Sequence, residues 1–168
     1  MATKAQITAE QYLHMTFEHD AEFVHGEIVK RALPDKTHST IQFRILMEVG
    51  RLIQSYPLFP YPELRLRLEP RVFRIPDISV FGGQPPRESV PSTPPLLVIE
   101  ILSKDDRHYN LMEKLEEYRV WGVSNIWVVD PLLKRLSFYT ESGLQNASSL
   151  RLADYPLELT PAALFSDL

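Results

Sequence analysis

Two apolar strands separated by a single helix constrain the fold of this chain more than any other feature. The run Leu96–Leu102 is apolar on both faces apart from one acid, and Asn125–Val129 is a second apolar run of strand length. The segment between them predicts a helix that Asp105 or Asp106 caps and Gly122 ends. Strand, helix and strand in direct succession form a βαβ unit, so the two strands should be parallel with a right-handed crossover.

The first third of the chain predicts two helices around a hairpin. Residues 8–11 have the spacing of a capping box, which begins a short helix with apolar positions up to Phe17. Glu22–Val29 predicts two short strands, with a turn at Gly26 that can take a positive φ. Apolar residues then recur at helical spacing from a cap at Asp35 to about Ser55.

The middle of the chain predicts a second hairpin and one long loop. Three prolines between residues 57 and 62 close the preceding helix. Glu63–Glu69 alternates strictly, with leucines inward and charges outward, and Val72–Phe81 is the strand that pairs with it. Pro76 within this second strand indicates an edge, a bulge or an interrupted ladder. Gly82–Pro95 is irregular, which fits either a functional loop or a surface excursion.

The remaining segments complete a mixed α/β fold. Arg135–Tyr139 and Gly143–Leu152 predict outer strands, and Thr160 begins a short terminal helix. A chain of 168 residues is long enough for a hydrophobic core, and no internal repeat divides it. We therefore predict a single domain over residues 1–168, with a central mixed β-sheet flanked by helices, a βαβ unit, and extra N-terminal and C-terminal elements.

Composition excludes several classes of function. The chain has no cysteine, so it has no disulfide, thiolate metal site or cysteine nucleophile. The five histidines include no pair with a metal-ligand spacing on one helix face. No segment predicts a signal peptide or a membrane span, so we expect a soluble cytoplasmic protein. The net charge of −4 argues weakly against broad binding to a polyanion but does not exclude a nuclease.

An acid inside an apolar strand is the first sign of function. Glu100 interrupts the run Leu96–Leu102, and burial of an ionised carboxylate is costly unless it is paired, protonated or bound to a metal. Asp77 follows Pro76 on a strand that can pair with the strand of the glutamate. Lys114 lies beside the inward stripe of the predicted helix, so its amine can reach over the sheet toward the acids.

Two acids and a nearby amine are typical of metal-assisted hydrolysis. Asp77 and Glu100 can hold Mg²⁺ or Mn²⁺ through hard oxygen ligands, and the backbone carbonyl of Ile101 is a third candidate ligand. The metal lowers the pKa of a bound water, while Lys114 orients or deprotonates that water or stabilises the developing charge. Each side chain also has a structural explanation: a turn for Asp77, an ion pair with a buried arginine for Glu100, and a solvent-directed position for Lys114. The three in strand, strand, helix order favour a site.

These motifs resemble those of the restriction-endonuclease-like superfamily, and more closely those of the Uma-two family of predicted endonucleases. The superfamily signature is Pro-Asp, followed by an acid, one residue and a lysine. The resemblance covers nearly the whole chain, and its order and spacing are more specific than any one motif. The matching segments are Glu22–Glu27, Ile75–Asp77, Val98–Ser103, Lys114, Tyr118, Gly122–Val123 and Ile126–Pro131.

The resemblance implies a restriction-endonuclease-like core, a divalent metal and a phosphodiester substrate, with Asp77 and Glu100 as metal ligands. The position of the usual lysine, two residues after the glutamate, is Leu102 in this chain, and Lys114 supplies the amine from the following helix instead. Further residues match the family pattern. Glu22 is an auxiliary acid or a surface charge, and His38 contacts phosphate, moves a proton or is merely solvated.

Three functions remain open at the level of sequence. The first is a Mg²⁺-dependent endonuclease that hydrolyses DNA, for which a homodimer would suit cleavage of both strands. The second is a non-catalytic module on the same fold that binds nucleic acid or protein, because fold alone does not decide function. The third is a self-associating structural domain whose interface would be the Pro-rich loop and the outer strands. The densest basic cluster either contacts phosphates or forms the wet face of a hairpin, and its members are Arg65, Arg67, Arg71 and Arg74.

Overall fold

The computed structural model describes residues 7–104 and 108–168. Within these residues the helices begin where the sequence predicts, with Thr8, Asp35 and Thr160 as the N-caps of the first, second and last. The predicted caps Asp105 and Asp106 lie outside the described residues. The helices are α1 (Ala9–His14), α2 (Lys36–Gly50), α3 (His108–Trp121) and α4 (Pro161–Phe165).

The strands form three sheets. The turn between the first two strands has Gly26 at a φ of 98°, so the predicted positive φ is confirmed. The strands are β1 (Ala21–Val24), β2 (Glu27–Lys30), β3 (Leu58–Pro62), β4 (Leu66–Glu69), β5 (Val72–Arg74), β6 (Ile78–Gly82), β7 (Leu97–Ile101), β8 (Asn125–Asp130), β9 (Arg135–Thr140), β10 (Gly143–Ala147), β11 (Leu150–Arg151) and β12 (Glu158–Leu159).

The central sheet is mixed, as predicted. It has six strands in the order β10-β9-β8-β7-β6-β3. Strands β7 and β8 are parallel, with Ile99 opposite Trp127, and α3 connects them as the helix of the βαβ unit. The other neighbours in this sheet pair antiparallel. Because β7 is flanked on both sides and buried throughout, its run of apolar residues is that of a central strand.

Helices cover both faces of the central sheet. One face of β7 contributes Ile99 to a core that also contains Ile41 of α2 and Leu164 of α4. The opposite face contributes Val98 to a core that contains Leu115 of α3. Since side chains alternate along a strand, Glu100 lies on the same face as Val98, toward α3.

A smaller sheet stands beside the central one and carries the N-terminal hairpin. Its order is β2-β1-β5-β4, and its described pairs are antiparallel. Tyr12 of α1, Phe23 of β1 and Phe73 of β5 are fully buried together, with ring centroids 5.2 to 6.1 Å apart. This aromatic cluster attaches α1 and the hairpin to β5.

The single strand predicted over Val72–Phe81 is two strands, and of the alternatives predicted at Pro76 the interruption is confirmed. The segment divides at Ile75–Asp77 into β5 of the smaller sheet and β6 of the central sheet. Pro76 has no N–H to donate to a ladder, and the N–H of Ile75 donates to the Glu22 carboxylate at 2.9 Å. The backbone therefore leaves one sheet and enters the other at this point.

The prolines near residue 60 form a strand that the sequence does not predict. Strand β3 pairs with β6 at the edge of the central sheet, with Pro60 opposite Val80. An edge strand accepts proline because half of its N–H groups have no partner in the sheet. The predicted outer strand Gly143–Leu152 also divides, into β10 and β11, and the strand predicted over Glu63–Glu69 is shorter, because only β4 has strand geometry.

The first two helices are shorter than predicted. Helix α1 ends at His14, so Phe17 lies beyond it, and Leu13 is 39% exposed. Helix α2 ends at Gly50, and residues 51–55 continue as turns instead of reaching Ser55 as helix. Glycine has low helix propensity, which accounts for the earlier end. Among the described residues, no helix has the length and apolar content needed to cross a membrane.

Candidate active site

The pairing of β6 with β7 brings the two candidate acids together. Ile78 lies opposite Ile99 in this antiparallel pair. Continuing the same register by one residue places Asp77 opposite Glu100, with both side chains on the face toward α3. Asp77 and Glu100 are both buried, and both line one cleft.

Asp77 accepts hydrogen bonds from three sides. Its Oδ2 accepts from the backbone N–H of Ile101 at 2.7 Å, and its Oδ1 accepts from the Arg31 guanidinium at 2.8 Å. Nε2 of His38 lies 3.3 Å from the same Oδ1. Burial opposes ionisation of Asp77, but His38, Lys114 and Arg31 outweigh it, so the pKa of Asp77 is lowered.

The pKa of Glu100 is shifted in the opposite direction from that of Asp77. Burial raises the pKa of this carboxyl to about 7, and the neighbouring charges of Asp77 and Glu22 add to the rise, although Lys114 opposes it. Its Oε1 accepts a hydrogen bond from the Tyr118 hydroxyl at 2.8 Å and lies 2.9 Å from the Lys114 amine. The two acids of the pair thus have pKa values shifted in opposite directions.

Lys114 reaches from α3 to the sheet. Its Nζ lies 2.9 Å from Oε1 of Glu100 and 2.9 Å from Oε1 of Glu22, and its side chain is only 13% exposed. Burial lowers the pKa of the amine, but Glu100, Glu22 and Asp77 outweigh it and raise the pKa to about 12. Lys114 therefore carries a positive charge at neutral pH and points toward the carboxylates instead of toward solvent.

Glu22 joins the site from the smaller sheet. It is buried on β1, and its carboxylate contacts Lys114, the N–H of Ile75 and Arg74 at 2.9 Å each. Arg74 also forms two hydrogen bonds to Glu117 of α3, at 2.6 and 2.9 Å. Burial alone would raise the pKa of Glu22, but Lys114 and Arg74 lower it. Arg74 is thus part of a buried ion-pair network, unlike exposed Arg67 of the predicted basic cluster.

His38 lies in the first turn of α2, where its N–H is capped by Asp35. The imidazole is buried, which opposes protonation, but the hydrogen bond and charge of Asp77 outweigh burial and raise the pKa of His38. Its Nδ1 has no hydrogen-bond partner among the residues that the structure describes. The histidine thus contacts the cleft through Nε2.

The cleft has a volume of about 120 Å³. That is room for a few water molecules or a hydrated ion, not for a nucleotide. A large substrate would therefore present one group to the mouth of the cleft. The cleft is lined by charged and polar side chains that include Glu22, Arg31, His38, Arg74, Asp77, Glu100 and Lys114.

The donor chemistry fits a divalent cation with a preference for oxygen. Within residues 7–104 and 108–168 no group of three or more His, Cys, Asp or Glu side chains is placed to hold a metal ion. The carboxylates of Asp77 and Glu100, which both line the cleft, are two oxygen donors that could hold one. Ile101 lines the same cleft. Mg²⁺ usually takes one or two carboxylates, with water and substrate oxygens completing the shell. Burial is the main cause of the raised pKa of Glu100, and the charges of Asp77 and Glu22 add to it. A bound cation would relieve the repulsion between these carboxylates.

The contacts that three residues make in this site were not predicted from the sequence. Arg31 and Arg74 are separated from their carboxylate partners by long stretches of sequence, and no local pattern signals such a contact. Tyr118 offered a signal, because it follows Lys114 by one helical turn on the same stripe. Its hydroxyl and the lysine amine both contact Glu100.

Comparison with known families decides the classification. The model of the Uma2 family, described as "Putative restriction endonuclease", matches residues 9–165. The chain belongs to the Uma2 family. This confirms the resemblance predicted from the sequence.

One solved structure has the same fold as this Uma2 chain. It is a protein from Anabaena variabilis ATCC 29413, described as "a putative nuclease belonging to DUF820", with a TM-score of 0.85 and 23% sequence identity. The match covers 95% of this chain and 98% of the other. It confirms the predicted mixed α/β, restriction-endonuclease-like fold. No curated protein matches the chain significantly.

Proposed function

We propose that this chain is a divalent-metal-dependent endonuclease that hydrolyses phosphodiester bonds of DNA. One observation carries the proposal: Lys114 extends from α3 to within 2.9 Å of Glu100, in a cleft that Asp77 also lines. Two acids and an amine thus meet, although the amine comes from a helix and not from the strand of the glutamate. Membership of the Uma2 family supports the same reaction class.

In this proposal Asp77, Glu100 and the carbonyl of Ile101 hold Mg²⁺ or Mn²⁺. A cation bound there would lower the pKa of a water molecule and offset negative charge on the phosphate. The hydrogen bond from the Ile101 N–H fixes the orientation of the Asp77 carboxylate. The Tyr118 hydroxyl does the same for Glu100. These contacts preorganise the two acids, which reduces the reorganisation needed during the reaction.

The charge of Lys114 narrows its role. Glu100, Glu22 and Asp77 outweigh burial and raise the pKa of Lys114 to about 12, so in the metal-free protein the amine is protonated at neutral pH and can donate hydrogen bonds. We propose that it donates hydrogen bonds to the attacking water or to the phosphate and stabilises the developing charge. Glu22, which lies 2.9 Å from the same amine, orients it. His38, which has a raised pKa, is proposed to contact phosphate or move a proton.

A cleavage assay tests this function. Closed circular plasmid, linear single-stranded DNA and RNA are incubated with Mg²⁺ or Mn²⁺ and the wild type, Asp77→Asn, Glu100→Gln or Lys114→Gln. We expect metal-dependent cleavage of the plasmid by the wild type, none by the two acid variants, and a loss of about 10²–10³-fold for the lysine variant. Glu113→Gln is the matched control, because Glu113 is exposed on the same helix as Lys114.

Each alternative has its own outcome in this assay. Acid variants as active as the wild type would contradict the assigned site. Unchanged turnover of the lysine variant would mean that Lys114 has a structural role only. A folded wild type without activity on any substrate would favour the non-catalytic binding module. We also propose a homodimer, because two sites are needed to cut both strands at once, and sedimentation analysis measures this directly.

A further inference from the structure

We propose that Arg31 is a phosphate-binding residue of this cleft, and that Asp77 holds it until a divalent cation takes the carboxylate. The inference rests on the proposed nuclease function and adds a substrate contact to it. It assigns a role to a residue outside the acids and the lysine that define the site.

The contacts of Arg31 leave most of its donors available. Arg31 follows β2 directly, and its side chain is 16% exposed. One hydrogen bond is formed among the described residues, from NH2 to Oδ1 of Asp77 at 2.8 Å. Its NH1 lies 3.8 Å from Oε1 of Glu63, which is beyond hydrogen-bond distance. A guanidinium has five N–H donors, so the group is far from saturated.

Arg74, the other arginine of the cleft, shows what a structural guanidinium looks like in this protein. It donates three hydrogen bonds to the carboxylates of Glu22 and Glu117, and its side chain is 5% exposed. Because both carboxylates bind the Arg74 guanidinium, it has little freedom to move. Arg31 contacts one carboxylate closely and lies nearer to solvent.

The single close contact of Arg31 is with Oδ1 of Asp77, the carboxylate oxygen that accepts no backbone hydrogen bond among the described residues. Oδ1 of Asp77 is covered by Arg31 and by His38, whereas Oδ2 accepts from the backbone. A guanidinium and a divalent cation on the same carboxylate oxygen exclude each other, because both are positive. Of the two side chains that contact Oδ1 of Asp77, Arg31 is the more exposed, at 16% against 8% for His38. Arg31 also lies in the segment that leads to exposed Leu33. Arg31 is therefore the side chain that can move away from Asp77.

A released Arg31 would remain at the mouth of the cleft. Arginine binds phosphate through two parallel N–H···O bonds, which a fixed ammonium such as Lys114 does not provide. The same residue would thus hold Asp77 in the metal-free protein and the substrate phosphate in the loaded one. DNA affinity should therefore depend on Arg31 only when the cation is present.

The test measures binding of a short DNA duplex by fluorescence anisotropy over a series of salt concentrations, with Ca²⁺ or with EDTA. Gels of the same samples establish that the duplex stays intact. With Ca²⁺ we expect Arg31→Gln to weaken binding about tenfold and to reduce the slope of log affinity against log salt by about 0.9. With EDTA we expect no difference from the wild type.

Two further variants keep the test decisive. Arg31→Lys keeps the charge and should keep the slope, but recover only part of the affinity, because lysine lacks the bidentate fork. Arg51→Gln removes an exposed charge near the end of α2, about 20 Å along the helix from His38, and any effect should be equal with Ca²⁺ and EDTA. In the absence of DNA, Arg31→Gln should bind Mn²⁺ about tenfold more tightly, measured by electron paramagnetic resonance.

The outcomes separate this inference from the proposed function. If the wild type binds and cleaves DNA, and folded Arg31→Gln binds it equally well or loses affinity equally with Ca²⁺ and EDTA, the role of Arg31 is wrong and the nuclease function stands. A wild type that neither binds nor cleaves nucleic acid overturns both. Mn²⁺ affinity unchanged by Arg31→Gln would overturn the competition for Asp77.

Discussion

At the scale of single residues, Glu100 has a position that suits the proposed metal binding but reduces the stability of the metal-free fold. The carboxyl group is buried beside the charges of Asp77 and Glu22, and its pKa rises to about 7. An acid with a raised pKa is costly to ionise in the folded protein, so the ionised form of Glu100 destabilises the metal-free fold. Strongly shifted pKa values cluster at functional sites, and structural ion-pair networks shift them too.

A pH-dependent stability follows from this shift. The folded-state pKa of Glu100 lies above its ordinary value of 4.5, so the folded state binds more protons than the unfolded state between these values. The contribution of Glu100 is therefore most favourable below pH 4.5 and is lost as the pH rises through about 7. In EDTA we expect Glu100→Gln to stabilise the protein at pH 8 by about 2 kcal/mol, and much less at pH 4.5.

Thermal unfolding measures this difference. About 2 kcal/mol corresponds to roughly 4–8 °C in Tm for a chain of this size. Glu113→Gln, an exposed change on α3, should leave the difference between the two pH values unchanged. A lower Tm of Glu100→Gln at pH 8 would mean that the ion pair with Lys114 stabilises the fold more than burial of the charge destabilises it.

At the scale of secondary-structure elements, the βαβ unit positions most of the site. Strand β7 carries Glu100, and α3 carries Lys114 and Tyr118 on one stripe. The end of α3 depends on Gly122, which has a φ of +109° and whose N–H donates to the carbonyl of Tyr118 at 3.2 Å. Left-handed backbone at this position lets the chain reverse directly into β8.

Two glycine substitutions should therefore act in opposite directions. Alanine at position 122 would have to adopt the left-handed region, although its Cβ would meet nothing closer than Pro94 at 3.6 Å. We expect Gly122→Ala to reduce the free energy of unfolding by about 1–2 kcal/mol through backbone strain. Gly50→Ala, at the end of α2 with no atom within 4 Å of the new Cβ, should increase it by about 0.5–1 kcal/mol.

Urea unfolding of the two alanine variants and the wild type provides the comparison. If Gly122→Ala were neutral, α3 would end by another route, and the direct turn into β8 would not need a glycine. A destabilised Gly50→Ala would show that α2 does not extend to this residue in solution.

At the scale of the whole molecule, the candidate site lies where separate parts of the fold meet. The smaller sheet supplies Glu22, the link between the two sheets supplies Asp77, and the central sheet supplies Glu100. Helices α2 and α3 supply His38 and Lys114. A cation held by Asp77 and Glu100 would connect β7 with the start of β6. Cation binding should therefore stabilise the entire fold.

Thermal unfolding with added Mn²⁺ tests this coupling. At a free concentration about 100 times its Kd, a ligand of the folded state alone adds about 2.7 kcal/mol to the free energy of unfolding. We expect Tm to rise accordingly for the wild type and not for Asp77→Asn. Glu48→Gln, which changes an acid paired with Arg51 on α2, should respond like the wild type. An equal rise in all three proteins would indicate surface binding of the cation.

The sequence by itself determined the parts of this protein that depend on local pattern. The apolar runs around a helix predicted the βαβ unit, and the acid inside one run predicted Glu100 as a candidate. Strict alternation predicted which side chains of β4 are buried, and capping residues predicted where helices begin. These signals are local because the periods of strand and helix act within a few residues.

Only the tertiary structure decided how the distant segments meet. The contacts of Arg31 with Asp77 and of Glu22 with Lys114 join residues far apart in the chain. The division of Val72–Phe81 between two sheets likewise depends on distant strands. Such contacts depend on strand order and register, which no local period encodes. The sequence supplied the charged side chains, and the packing of two sheets against α3 selected which of them share one cleft.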